Sequence, residues 1–242
     1  MAIRAPVGAQ KSKEVLNMIA STRWQENCWY DVGILGNREP LEVDEDEAEG
    51  EVEEHMDSMD LLNYGMSMRK SDSLPLNRPI KDLRSMACLF WNYPDNLPLA
   101  SVVIAFHNEG LSTLLRTVVS VVTRSPPDLL AEVLLVDDFS DLASYPHLGD
   151  ELEVWVEGSG GVVRLVRNLR REGLIRSKNR GAEEARGEAI VFLDAHCEVG
   201  LNWLPPLLAP LRADPRTVAV PIVDLIHHTT FRMSSVYHTA SR

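Results

Sequence analysis

From residue 100 onward the chain alternates short apolar runs with longer segments of helical spacing. ASVVIAF (100–106) is a continuous, β-branched run, the pattern of a strand covered on both faces. LSTLLRTVVSVVTR (111–124) repeats apolar residues as a buried helix does, and Ser125-Pro126-Pro127 stops it. AEVLLVDD (131–138) and VVRLVRN (162–168) read as a second and third strand, followed by a polar-faced helix over IRSKNRGAEEARG (175–187). AIVFLDA (189–195) is a fourth strand, LNWLPPLLAPLRAD (201–214) a proline-punctuated helical segment, and TVAVPIVDLI (217–226) a fifth strand. Strands alternating with helices at this spacing predict an α/β fold, a doubly wound and mostly parallel sheet.

Residues 1–70 follow another pattern. LEVDEDEAEGEVEEHMDSMD is acidic and without periodicity, so this region reads as a largely disordered stem or linker, with a short helix at 11–20.

In doubly wound sheets ligands bind in the crevice at the carboxyl ends of the strands. The polar residues of this chain fall there: His107-Asn108-Glu109-Gly110 after the first strand, Asp137-Asp138 after the second, Asp194-Ala195-His196 after the fourth. Side chains two apart on an extended chain point to one side. Asp194 and His196 therefore suit a divalent cation such as Mn²⁺ that keeps positions open for a diphosphate. The plainer alternative is a turn-capping aspartate beside a surface histidine. Asp137 and Asp138 point oppositely, so one can accept hydrogen bonds from a nucleotide while the other braces a loop; a solvated acidic pair is the alternative. RNLRREGLIRSKNRG (167–181) gathers Arg170, Arg171, Arg176, Lys178 and Arg180 at the start of a helix, where anions are favoured. For Arg171 an anion grip and a solvated face weigh equally; for Lys178 and Arg180 the solvated face is preferred. His107 is read as bracing its loop, Cys197 as pointing to the core, and His227-His228 as non-ligands. Neither GxGxxG nor GxxxxGKS occurs, which argues against dinucleotide enzymes and P-loop ATPases.

Net charge sharpens the division of the chain. It is −12 over 242 residues, and eleven acidic residues with no Lys or Arg lie between Glu42 and Asp60. The remainder is close to neutral, and no basic stripe interleaved with aromatics suggests a nucleic-acid partner. Three cysteines, Cys28, Cys88 and Cys197, are too few and scattered for a disulfide framework or a zinc site. No run approaches the ~18 apolar residues of a membrane span, and MAIRAPVGAQKSKEV lacks the apolar region of a signal peptide. Taken literally, the chain is soluble and cytosolic.

Four motifs in order, FHNE, VDD, REGLIR and DAH, together with the lead-in SDSLPLNRPIKDLRSMAC (71–88), resemble the polypeptide N-acetylgalactosaminyltransferases over residues 71–230. The resemblance implies the N-terminal half of a GT-A glycosyltransferase domain and Mn²⁺-dependent, retaining transfer of GalNAc from UDP-GalNAc to Ser or Thr of acceptor proteins. It places the family in the Golgi lumen as type II membrane proteins, starting mucin-type O-glycosylation. Carried onto this sequence, Asp194 and His196 are metal ligands, and Asp138, Arg171 and Ala195 contact the donor. Ala105 stands where some members place a donor-touching threonine. The family's third metal ligand lies downstream of Arg242, as does the partner of a family cysteine that Cys88 resembles. Residues 231–242 read as a divergent tail. A chain without anchor, lid or third ligand is expected to be an incomplete, inactive form, cytosolic or misdirected in the cell. A non-catalytic truncated isoform and a GT-A transferase for another nucleotide sugar are the alternatives.

Overall fold

The computed structural model of the chain describes residues 58–84, 88 and 91–236. The elements are α1 (Ser58–Tyr64), α2 (Met68–Ser73), β1 (Ala100–Phe106), α3 (Leu111–Arg124), β2 (Leu130–Asp137), a 3₁₀ turn (Pro146–Leu148), α4 (Asp150–Glu157), β3 (Val163–Arg167), α5 (Leu174–Glu184), β4 (Ala189–Leu193), α6 (Pro205–Ala213), β5 (Leu225–Ile226) and β6 (Met233–Ser234). The four long strands form one sheet in the order β3-β2-β1-β4. Every pairing in it is parallel.

The two-residue period of β1 and β2 sorts the core into two layers. Val102, Ile104 and Phe106 of β1 face one side with Val133 and Leu135 of β2, against α3 and the α4 residues Leu152 and Trp155. Val103, Ala105, Leu134 and Val136 face the other side. There α5 approaches so closely that a Cβ on Gly181 would lie 2.3 Å from Val103 Cγ1. Helices cover both faces, as the continuous apolar strands require.

Gly187, at the turn from α5 into β4, marks a second close approach. A Cβ there would meet Ser101 N at 2.5 Å, Ala100 C at 2.7 Å and Leu99 O at 2.8 Å, all main-chain atoms that cannot rotate away. Gly187→Ala is therefore expected to push β4 off β1 and cost about 1–3 kcal/mol, the usual range for overpacking. A chemical-denaturation midpoint checks it; an unchanged midpoint would show the turn has room.

The sheet also holds a buried acid. Glu132 of β2 is 1% exposed. Its carboxylate accepts from Ser101 Oγ at 3.0 Å, the Arg186 amide at 2.8 Å and Arg164 Nη1 at 2.8 Å. Burial pushes its pKa up, but Arg164, the Arg186 amide and Ser101 outweigh burial and hold it below the ordinary glutamate value. A lowered folded pKa means stability present above the unfolded value and lost as pH falls through the folded one. Wild type is thus expected to lose more stability than Glu132→Gln as the pH drops below about 4.5. Parallel urea unfolding at pH 7 and pH 4 reads the difference; equal losses would contradict the assignment.

Two sequence expectations change. Residues 58–70, expected to belong to a disordered linker, carry α1 and the start of α2. The Asp60 carboxylate accepts from the Met68 amide at 2.8 Å and the Arg69 amide at 3.3 Å, and Ser67 Oγ caps α2 through the Lys70 amide. An acid inside the low-complexity run thus caps the helix that follows it. The remainder of the acidic run and the helix at 11–20 lie outside the described residues.

The fifth strand, expected over 217–226, is confined to Leu225–Ile226, paired antiparallel with Met233–Ser234. Pro221 interrupts the run and supplies no ladder donor. Val218 and Val220 stand 85% and 81% exposed. The β5–β6 hairpin is tied to the body by the Ser67 amide on His228 O at 2.9 Å and by Arg78 Nη1 on Phe231 O at 2.8 Å. Among the described residues no helix is long and apolar enough to cross a membrane.

Candidate nucleotide-sugar and metal site

The carboxyl ends of β1, β2, β3 and β4 form one rim, and each element delivers a polar group to it. Asp137 ends β2 and Asp138 follows it, each 2% exposed. Their side chains take separate tasks, as expected of adjacent strand residues. Asp137 accepts from the Ser140 amide at 2.9 Å and pairs with Arg167, bracing the loop after β2. Asp138 turns to the loop between β3 and α5. It accepts from Asn168 Nδ2 at 2.8 Å, the Glu172 amide at 2.8 Å and the Gly173 amide at 2.9 Å, and it pairs with Arg171.

A carboxylate has about four lone-pair positions, so these donors engage Asp138 fully. Arg171, with a side chain 51% exposed, is the most solvent-accessible of them. Gly173, at φ 88°, adopts the left-handed conformation that lets its amide reach Asp138 at the start of α5.

Asp194 and His196 follow β4 and are open to solvent, with side chains 59% and 53% exposed. His196 Nδ1 faces Glu109 Oε2 at 3.3 Å. The Glu109 hydrogen bond raises the His196 pKa, burial opposes it, and the charges of Glu109 and Asp194 add to the rise. Glu109 in turn accepts from the Gly110 amide at 3.2 Å. With Nδ1 turned to a carboxylate, Nε2 is the nitrogen left for a metal, as in carboxylate–histidine–metal arrangements. Lys178 Nζ lies 3.2 Å from Asp194 Oδ1, so an ammonium already compensates the carboxylate where a cation would sit.

Carboxylate, imidazole and a supporting carboxylate fit a divalent ion of the Mn²⁺ type. Among the described residues no cluster of three or more candidate ligands occurs.

Helix α5 joins the two halves. Ser177 Oγ accepts from Asn168 Nδ2 at 2.9 Å on the Asp138 side, while its neighbour Lys178 holds Asp194. Lys178 and Arg180, read from sequence as a solvated face, are thus engaged; Arg180 Nη1 donates to Arg167 O at 2.9 Å and Asn168 Oδ1 at 2.8 Å. Arg170 and Arg176 are 80% and 74% exposed and paired with Glu172. His107 braces its loop through Nδ1 on Asp138 O at 3.0 Å; burial and then Arg171 lower its pKa.

Both alanines carried over from the resemblance have buried methyls. The Ala195 methyl lies in the α3-side core and the Ala105 methyl in the α5-side core, 3% and 7% exposed. The Ala195 carbonyl is taken by Thr117 Oγ1 at 2.9 Å. Neither alanine presents a side chain to the crevice: Ala105, within β1, turns its methyl toward α5, and Ala195, in the turn after β4, packs its methyl on the α3 side. Cys197 is part-buried, its thiol pKa raised by burial, and Cys88 is exposed; both are unbridged.

Asn168 was not singled out by sequence, and Glu109 was placed on the rim without a role. Their signal was positional: each follows a strand by one to three residues, on the rim where ligands bind.

A parallel sheet with acids, an imidazole and an arginine at its carboxyl rim is an α/β fold with a ligand crevice at its strand ends. The family model for "Glycosyl transferase family 2" matches residues 101–241, more than half of the chain, and the protein belongs to that family.

The particular relatives are GalNAc-transferases. "N-acetylgalactosaminyltransferase 7" of Drosophila melanogaster is 48% identical over 85% of this chain and 36% of its own length. "Polypeptide N-acetylgalactosaminyltransferase 10" of Homo sapiens is 46% identical over 74% of this chain and 29% of its own length. The crystal structure of GalNAc-T7 with UDP, GalNAc and Mn²⁺ superposes with a TM-score of 0.70 at 44% identity, covering 72% of this chain and 32% of that one. The chain thus spans about a third of the length of these relatives.

Proposed function

We propose that this chain carries the donor-binding half of a polypeptide GalNAc-transferase site and grips UDP-GalNAc through a bound Mn²⁺. The observation that carries the reading is α5: its adjacent residues Ser177 and Lys178 connect the Asp138–Arg171 loop and the Asp194–His196 pair into one rim. A relative crystallised with UDP, GalNAc and Mn²⁺ supports the ligand identities.

In this reading Asp194 Oδ and His196 Nε2 hold the metal, and Glu109 keeps the imidazole turned. When bound, the metal neutralises charge on the diphosphate as a Lewis acid. Arg171 swings from Asp138 to the diphosphate or to the sugar hydroxyls, and Asp138 then offers the freed oxygen to a nucleotide hydroxyl. Lys178, now paired with Asp194, would be free to compensate diphosphate charge were Asp194 to hold a metal. Ala195 and Ala105 contribute backbone rather than side chain to the donor pocket.

Transfer to Ser or Thr of acceptor polypeptides, retention at the anomeric carbon, a Golgi location, a disulfide at Cys88 and residues beyond this segment completing the metal site belong to the same proposal. Relative affinities for UDP-GalNAc and GDP-mannose in the presence of Mn²⁺ test the donor. The proposal expects UDP-GalNAc to bind at least ~10-fold tighter, a difference of about 1.4 kcal/mol. Equal or reversed affinities would overturn it.

A further inference from the structure

We infer that Asn168 is a positioning residue of the donor site, the amide that fixes Asp138, the arginine loop and the start of α5 in one arrangement. The inference rests on the donor reading given above.

Asn168 is 5% exposed and follows β3 directly, its own amide continuing the sheet ladder to Asp137 O at 2.8 Å. Every polar atom of its side chain is used. Nδ2 donates to Asp138 Oδ1 at 2.8 Å and to Ser177 Oγ at 2.9 Å, and Oδ1 accepts from Arg180 Nη1 at 2.8 Å. The amide has one workable orientation. Turned over, it would set its carbonyl oxygen against the Asp138 carboxylate and its NH₂ against the Arg180 guanidinium.

Asn168 touches none of the groups assigned to ligand, apart from Asp138. Yet its bonds decide where the Asp138 carboxylate sits, and that carboxylate holds the Glu172 and Gly173 amides and Arg171. A side chain locked by three bonds is what keeps such a group in place when a ligand competes for its partners. On the other side it anchors Ser177, whose neighbour Lys178 reaches Asp194. Loss of Asn168 therefore loosens both halves of the rim without removing a ligand-contacting atom.

The test uses the full chain and two readouts. Amide hydrogen exchange reports whether the Glu172 and Gly173 amides are held, with no ligand needed. Calorimetry with UDP and Mn²⁺ reports binding. For Asn168→Ala the expected result is at least ~10-fold faster exchange at those two amides with the amides of β1 and β2 unchanged, and UDP affinity lowered ~10-fold, in the range for loss of a supporting shell. Ser125→Ala, another deletion of a buried hydroxyl or amide but at the far end of α3, is expected to change neither. Asn168→Leu keeps the γ-branched shape without donor or acceptor, and is expected to repeat the Ala result.

Unchanged exchange at Glu172 and Gly173, or an equal rise across β1 and β2, would overturn the inference, as would failure of both variants to fold. Wild-type chain that shows no UDP binding but loses this protection in Asn168→Ala would overturn the donor reading alone. It would leave Asn168 as the loop's anchor.

Discussion

Asp194→Ala/His196→Ala is expected to abolish Mn²⁺-dependent UDP binding while leaving the fold intact. Both side chains are more than half exposed, and neither contributes to the core. The fold therefore loses only surface contacts, namely the Lys178 pair and the Glu109 hydrogen bond, each worth little at exposed positions. The site, by contrast, loses both of its metal donors. Removing a supporting group around a metal already costs about 10–100-fold, so losing two direct ligands is expected to cost ~100-fold or more. Calorimetric titration with UDP and Mn²⁺ measures the loss, and thermal unfolding controls for the fold. A double variant that still bound UDP in a metal-dependent way would show that the cation sits elsewhere.

Asp138→Ala is expected to be the most destabilising single change at the rim, by about 3 kcal/mol. The reason lies in what it strands. The Asn168 amide loses a bond in a dry pocket, the Glu172 and Gly173 amides lose theirs, and Arg171 loses its counter-charge. Water can reach the half-exposed arginine and rehydrate it, but it cannot easily reach Asn168. For that reason the figure stays well below the sum of the separate contacts. Asp138→Asn does not rescue: an amide in that place points an NH₂ at donors. Urea unfolding of the three forms decides. A loss below ~1 kcal/mol for Asp138→Ala would mean the loop is held by other contacts.

Much of this was legible in the sequence. The β-branched run 100–106 announced a strand because buried parallel strands need apolar residues on both faces. Residues 189–193 share the apolar run although Ile190 and Phe192 stand exposed on the sheet's edge strand, and the helix at 111–124 was bounded at its C-terminal end by Ser125-Pro126-Pro127. The rim followed from topology, since strand ends in such sheets collect ligands whatever their sequence. What the pattern could not show was which of two adjacent acids turns inward. Asp137 and Asp138 are chemically the same, and only the Arg167 and Asn168 contacts separate them.

The roles of Lys178 and Arg180 were hidden for a similar reason: a basic residue on a polar helix face reads as solvated until the neighbouring strand ends are in place. The fifth strand was overextended because apolar alternation around Pro221 mimics a ladder that the proline cannot join. The helical residues within 58–70 were missed because composition dominated the reading of the acidic run, whereas Asp60 acts locally on the Met68 and Arg69 amides.

The central claim is that Asp194 and His196 seat a divalent ion that lets the Asp138–Arg171 loop grip a uridine diphosphate. Calorimetric titration of the purified chain with UDP, with Mn²⁺ and again with the metal chelated, tests it most directly. The account predicts saturable binding with Mn²⁺ that weakens at least ~10-fold on chelation, a change of about 1.4 kcal/mol. Binding of equal strength in both conditions, or none from a folded chain with Mn²⁺ present, would contradict it.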